Sequence, residues 1–125
     1  MGNLNDLETF PQIKVWGETV KARRVQGERI TLAVVELEPN AIVPEHRHIA
    51  EQLGIVIQGE MRFTVDGETR TLGPGGTWRI HSERPHDVQA GAEGAVVIDV
   101  FSPVRSDWDA LPIAPVARPR WPTGT

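Results

Sequence analysis

Residues 39–60 read PNAIVPEHRHIAEQLGIVIQGE. Two of the chain's four histidines, His46 and His48, stand two apart here, between a proline and a Glu-Gln pair. In an extended segment residues i and i+2 face the same side. Extension over Val43–His48 therefore aims both imidazoles inward and side by side. Neutral imidazole is a common transition-metal ligand, held about 2.0–2.1 Å from zinc. Two imidazoles inside a barrel leave ring nitrogens unsatisfied unless something binds them. Glu51 and Gln52 follow closely, and either can offer an oxygen. His86, in the RPHDV stretch, sits on a turn after a strand and can come from the opposite sheet. It would complete a set of three nitrogens and one oxygen. A lone H-x-H is often a surface coincidence, so the flanking segments decide.

Those flanks read as strands. RITLAVVELEP places Ile30, Leu32 and Val34 on one face and Ala33, Val35 and Leu37 on the other. With both faces apolar, the strand is expected between two layers. Pro39-Asn40 then makes a turn. Leu53–Ile57 is a second strand, broken at Gln58-Gly59-Glu60. Met61, Phe63 and Val65 alternate in a third, and Asp66-Gly67 signals a two-residue hairpin returning through Thr69 and Thr71. LGPGGTW needs glycine at positive φ, TWRIH resumes a strand, and a β-branched run covers Ala95 to Phe101. IKVWGETVKARRV also alternates. Ten Pro and twelve Gly break the chain too often for long helices. Short strands at that spacing predict an all-β sandwich or barrel. The expected organisation is an N-terminal arm over 1–12, a barrel over 13–105 and a Pro-rich tail over 106–125. The arm is expected to be mobile or loosely docked, and the tail to lie on the barrel or on a partner subunit.

Bulk properties narrow the function. At 125 residues the chain suits one domain. Net charge is −4 and the 11 Arg and 2 Lys are scattered, which argues against nucleic acid as a partner. Cys is absent, so disulfides and thiolate metal sites are excluded. No apolar run approaches the roughly 20 residues of a membrane helix. The first 20 residues lack the charged-then-apolar order of a signal peptide. A soluble cytoplasmic protein is the expectation.

With these elements in place the chain resembles the cupin family. The first cupin motif, G-x5-H-x-H-x3,4-E/Q-x6-G, is similar to residues 39–60, ending on Gly59. The second, G-x5-P-x-G-x2-H-x3-N, is similar to PGGTWRIHSERPHDVQ, with Pro74 and Gly75 opening the turn and His86 at the ligand position. The chain departs from the pattern at Asn40, which replaces the opening glycine, and at the final asparagine, near which Gln89 lies. The resemblance spans Ile30 to Arg105. It implies a jelly-roll barrel, a double-stranded β-helix, closed around a site. It also implies one divalent transition metal (Ni, Zn, Fe, Mn, Cu or Co) on His46, His48, His86 and Gln52, the last taken over Glu51 from the branch in which Gln coordinates. A homodimer is the expected assembly, as in other small cupins.

A second constellation is DVFSPVR, residues 99–105. Asp99 interrupts an apolar run, and a carboxylate there is costly to bury unless it is paired or working. Strand parity puts Asp99 and Phe101 on one face. Arg105, just past Pro103, can hold a substrate carboxylate at two points. Asp99 and Arg105 can equally form an ion pair that pins the tail. The run resembles that of a small-cupin branch that opens the rings of unsaturated uronates from pectin and alginate breakdown. That resemblance implies an active-site Asp99, Phe101 and Arg105 and a small carboxylated substrate. An iron-dependent dioxygenase and a non-enzymatic metal- or metabolite-binding module are the alternatives. Among other residues, His81 is read as a loop residue at the barrel mouth. Trp78 and Phe63 are read as barrel wall, and Glu36, Glu38, Glu60 and Glu68 as solvated edge charges. Arg62 and Arg79 are expected on the surface.

Overall fold

The structure is a computed structural model that describes residues 2–122. The first residue of the arm and the last three of the tail lie outside the described residues. Eight strands are present: β1 (Ile13–Trp16), β2 (Val20–Gln26), β3 (Thr31–Leu37), β4 (Ile42–His46), β5 (Glu51–Val65), β6 (Glu68–Leu72), β7 (Thr77–Ile80) and β8 (His86–Ser102). The only helical pieces among the described residues are two 3-10 turns, Leu7–Thr9 and Ser106–Ala110.

The long antiparallel pair β5 and β8 organises the barrel. The first half of β5 pairs with β7 and with the end of β8, which continues through β3 and β2 to β1. Its second half pairs with β6 and with the start of β8, which also pairs with β4. Two strands thus pass from one sheet into the other. The register of β5 against β8 shifts between Val56 and Gln58 and again between Gly59 and Met61. The segment 58–60 is therefore not a break but a bulge inside one strand. It inverts the alternation: Gln52 and Val56 are buried before it, Met61 and Phe63 after it. Gly59 takes φ 78°, and a Cβ there would lie 2.1 Å from the Gly94 carbonyl oxygen. The run starting at Ala95 likewise extends back to His86 as one strand.

Interior positions follow the period of two. Thr31, Ala33, Val35 and Leu37 of β3 face Ala95, Val97, Asp99 and Phe101 of β8 across the ladder, and all eight are buried. The outward face of β3 is only partly covered. Val34 is buried, but Ile30 and Leu32 are exposed, so the strand does not lie between layers along its whole length. Glu36 is not a solvated edge charge. It is 9% exposed and binds Arg23 at 3.0 Å and the Arg120 backbone N–H at 3.0 Å. Those contacts fasten the tail to the outer face of β2 and β3. Farther back, Lys14 N donates to Pro112 O and Ala114 N to Gln12 O. Phe10 and Gln12 of the arm are buried beside them. Arm and tail therefore pack on the chain's own barrel.

Turn geometry bears on the glycine positions of both motifs. Asp66 and Gly67, at φ 51° and 87°, form the expected hairpin between β5 and β6. Asn40 takes φ 60°, a left-handed conformation that Asn tolerates better than most residues. It can stand where the first motif has glycine for that reason. Counting back three from His86, the glycine of the second motif falls on Glu83, which takes φ 65°.

Candidate metal centre

β4 and the start of β8 bring the histidines together. His46 ends β4 and is the register partner of His86, the first residue of β8. His86 thus arrives from the neighbouring strand, not from the opposite sheet. His48 lies in the turn after β4, whose carbonyl accepts a hydrogen bond from Glu83 N at 2.8 Å. The ring centroids are 4.2 Å apart for His46–His86, 4.8 Å for His48–His86 and 5.6 Å for His46–His48. One ring nitrogen from each lies within 4.8 Å of the others.

The tautomers follow from the hydrogen bonds. Each Nδ1 sits 2.8 Å from a backbone carbonyl: His46 from Pro44, His48 from Ala50 and His86 from Arg84. A carbonyl can only accept, so each neutral ring carries its proton on Nδ1 and turns the Nε2 lone pair inward. Burial lowers the pKa of all three; for His86, burial and the neighbouring imidazoles bring it to about 4. His86 Nε2 is buried with no hydrogen-bond partner among the described residues. An orphaned buried acceptor beside two more lone pairs is what a cation would satisfy. The three histidines can hold a metal ion.

Gln52 and Asp99 lie next to this cluster. Gln52, on β5, is buried; its Nε2 donates to Asp99 Oδ1 at 2.8 Å and its Oε1 faces His48 Nε2 at 3.2 Å. In the tautomer above, both of those facing atoms are acceptors. Glu51 points the other way, its carboxylate exposed and 3.5 Å from His81 Nδ1. His81 is itself exposed at the rim. Trp78, opposite Gly54 on β5, donates Nε1–H to the same Asp99 oxygen at 2.8 Å. Burial pushes Asp99 up to about 6, against the downward pull of the Gln52 and Trp78 hydrogen bonds and the Arg105 charge.

Asp99, Phe101 and Arg105 line one cavity of about 230 Å³ with His46, His86 and Gln52. Asp99 and Arg105 do not form the ion pair considered above. Arg105 donates Nε and Nη2 to the two carboxylate oxygens of Asp107, each at 3.0 Å. Phe63 and Trp78 form wall, as the alternation implies, and Arg62 and Arg79 are exposed. Sequence reasoning alone does not single out three further lining residues: Trp16, whose ring lies 5.3 Å from His46, Asp107 and Trp108. Trp108 is buried, and a large aromatic between two aspartates in a Pro-rich tail is the one sequence signal that could have found it.

The comparisons agree with this architecture. The family model described as Cupin domain matches residues 33–101. The pectin degradation protein KdgF of Dickeya dadantii (strain 3937) is 30% identical over 94 residues, which are 74% of this chain and 86% of that protein. The structure of KdgF from Halomonas sp. superposes with a TM-score of 0.77 at 25% identity, covering 86% of this chain and 98% of the other. An RmlC-like cupin from Shewanella frigidimarina NCIMB 400 gives 0.79 at 22% identity, over 86% and 96%. Motifs, barrel and comparisons lead to one conclusion: the chain belongs to the cupin family.

Proposed function

We propose that this cupin is a metal-dependent, non-redox enzyme that opens the ring of a small unsaturated uronate. The observation that carries the proposal is the orphaned Nε2 of His86 in a cavity shared with Asp99 and Arg105. The likeness to the pectin degradation protein KdgF supports the substrate class. The cavity volume is below the roughly 300–1,000 Å³ of drug-sized sites, which suits one monosaccharide.

His46, His48, His86 and the Gln52 amide oxygen would hold one divalent transition metal. When bound, that ion would supply Lewis-acid polarisation of neighbouring substrate oxygens. Arg105 would bind the carboxylate and fix the sugar's orientation. Phe101 would form one wall. Asp99 keeps one oxygen for Gln52 and Trp78 and would use the other as a base. It takes the proton of the anomeric hydroxyl, the C1–O5 bond breaks, and its electron pair passes to the enol oxygen. The proton returns at C4. The product is an isomer, an open-chain aldehyde with a keto group at C5, and no oxidant or reductant is consumed. Asp99 can be ionised at neutral pH, since its pKa lies near 6.

The test is turnover of a 4,5-unsaturated galacturonate by the metal-loaded protein. Asp99→Ala is expected to keep the metal and lose turnover, and His46→Ala to lose both. Full activity of Asp99→Ala would exclude the mechanism. Oxygen uptake on enolic substrates, with iron in the purified protein, would favour a dioxygenase instead.

A further inference from the structure

We propose that Asp107 is a positioning residue for Arg105, one that holds the Nε–Nη2 edge of the guanidinium and leaves the Nη1–Nη2 end to meet a substrate carboxylate; this rests on the role given to Arg105 above. Arg105 is fixed along its whole length. Its backbone N–H donates to Thr31 Oγ1 at 2.9 Å, and the fully buried Thr31 hydroxyl donates on to Gln26 Oε1 at 2.7 Å. Its carbonyl accepts from Arg24 Nη1 at 2.9 Å and from Trp108 N at 3.1 Å. Its Cζ lies 4.6 Å from the Phe101 ring centroid and 4.8 Å from that of Trp108. Those two rings are 5.4 Å apart at 73°, so they form a corner into which the guanidinium fits. Asp107 then takes the Nε–Nη2 edge with both oxygens. Nη1 makes no hydrogen bond among the described residues, and Arg105 lines the cavity.

An exposed ion pair adds little stability, and the Asp107 side chain is 63% exposed. Its effect is therefore geometric. An arginine has five N–H donors in a rigid fork. With the Nε–Nη2 edge occupied, an incoming carboxylate can make a two-point contact only at the Nη1–Nη2 end. Pinning also spares the substrate the entropy cost of ordering a long side chain on binding. Removing Asp107 has two opposed effects: it takes away a negative charge and it frees Arg105. The charge is solvent-screened, so loss of order dominates and substrate binding weakens.

The test compares metal-loaded wild type, Asp107→Asn and Asp107→Ala by two readouts: the arginine Nε–H NMR signal of Arg105 and steady-state kinetics on a 4,5-unsaturated galacturonate. In the wild type the Nε–H is expected to exchange slowly, and in Asp107→Ala that protection is lost. KM rises about tenfold in Asp107→Ala with kcat within about threefold, as expected for lost preorganisation. Asp107→Asn, which retains one acceptor, falls between. An unchanged or lowered KM, or a protected Nε–H in Asp107→Ala, overturns the proposal. If the wild type leaves the uronate untouched, the function proposed above fails. The positioning role is then decided by the NMR signal alone.

Discussion

Gln52 Nε2 donates to Asp99 Oδ1 over 2.8 Å while Gln52 Oε1 faces His48 Nε2 at 3.2 Å. A single amide therefore links the imidazole cluster to the buried carboxylate. Because Asp99 accepts the Gln52 N–H, the amide cannot turn without losing that bond, and its oxygen stays aimed at the histidines.

Asp99 should weaken the metal-free fold at neutral pH. Its folded pKa, near 6, lies above its ordinary value, so its contribution is present at low pH and lost as pH rises through 6. His86 has the opposite sign. Its pKa, lowered to about 4, means that the unfolded chain binds more protons, and stability falls as pH drops from about 6.5 towards 4. Asp99→Asn is expected to stabilise the metal-free protein by about 1–3 kcal/mol at pH 8, with the gain vanishing towards pH 4. It should abolish turnover. Denaturant melts at several pH values measure this; a variant no more stable than wild type at pH 8 contradicts it.

Gly54 is required by Trp78. A Cβ at position 54 would lie 2.2 Å from Trp78 Cε2, inside the ring. Gly54→Ala must push the indole away and break its hydrogen bond to Asp99. A loss of about 1–3 kcal/mol is expected from overpacking, with turnover falling further than stability accounts for. Thermal melts and kcat on the same variant check this. A variant with wild-type melting temperature and kcat would show that the indole has room to move.

Much of this was legible in the sequence. The period-two alternation gives the strands, Asp66-Gly67 the hairpin, and the spacing of His46, His48 and His86 the cluster. Three features were not. The bulge at 58–60 looks like a strand break, because only pairing with β8 shows that the ladder continues through it. Glu36 reads as a surface charge, since its partners Arg23 and Arg120 lie 13 and 84 residues away. Asp107 gives no signal, because a carboxylate two residues after an arginine is common in any exposed turn.

The Glu36 network makes the tail part of the barrel's stability. Glu36→Ala leaves Arg23, whose side chain is 2% exposed, as a buried charge without its carboxylate. A loss of about 3 kcal/mol or more is expected, as for other broken buried pairs. Arg120→Ala removes a partner whose side chain is 33% exposed and should cost less. Chemical denaturation of both variants measures the difference. Equal, small losses would mean that the tail is dispensable.

Metal stoichiometry tests the central claim most directly. Protein stripped with chelator and titrated with Zn(II) is expected to bind one ion per chain. Because all three imidazole pKa values are lowered, binding should persist at pH 6 and fail as pH approaches 4. His86→Ala should weaken binding by more than about 100-fold, beyond what loss of a supporting hydrogen bond costs. No stoichiometric ion in the wild type, or an ion held as tightly by His86→Ala, would contradict a metal centre built on these three histidines.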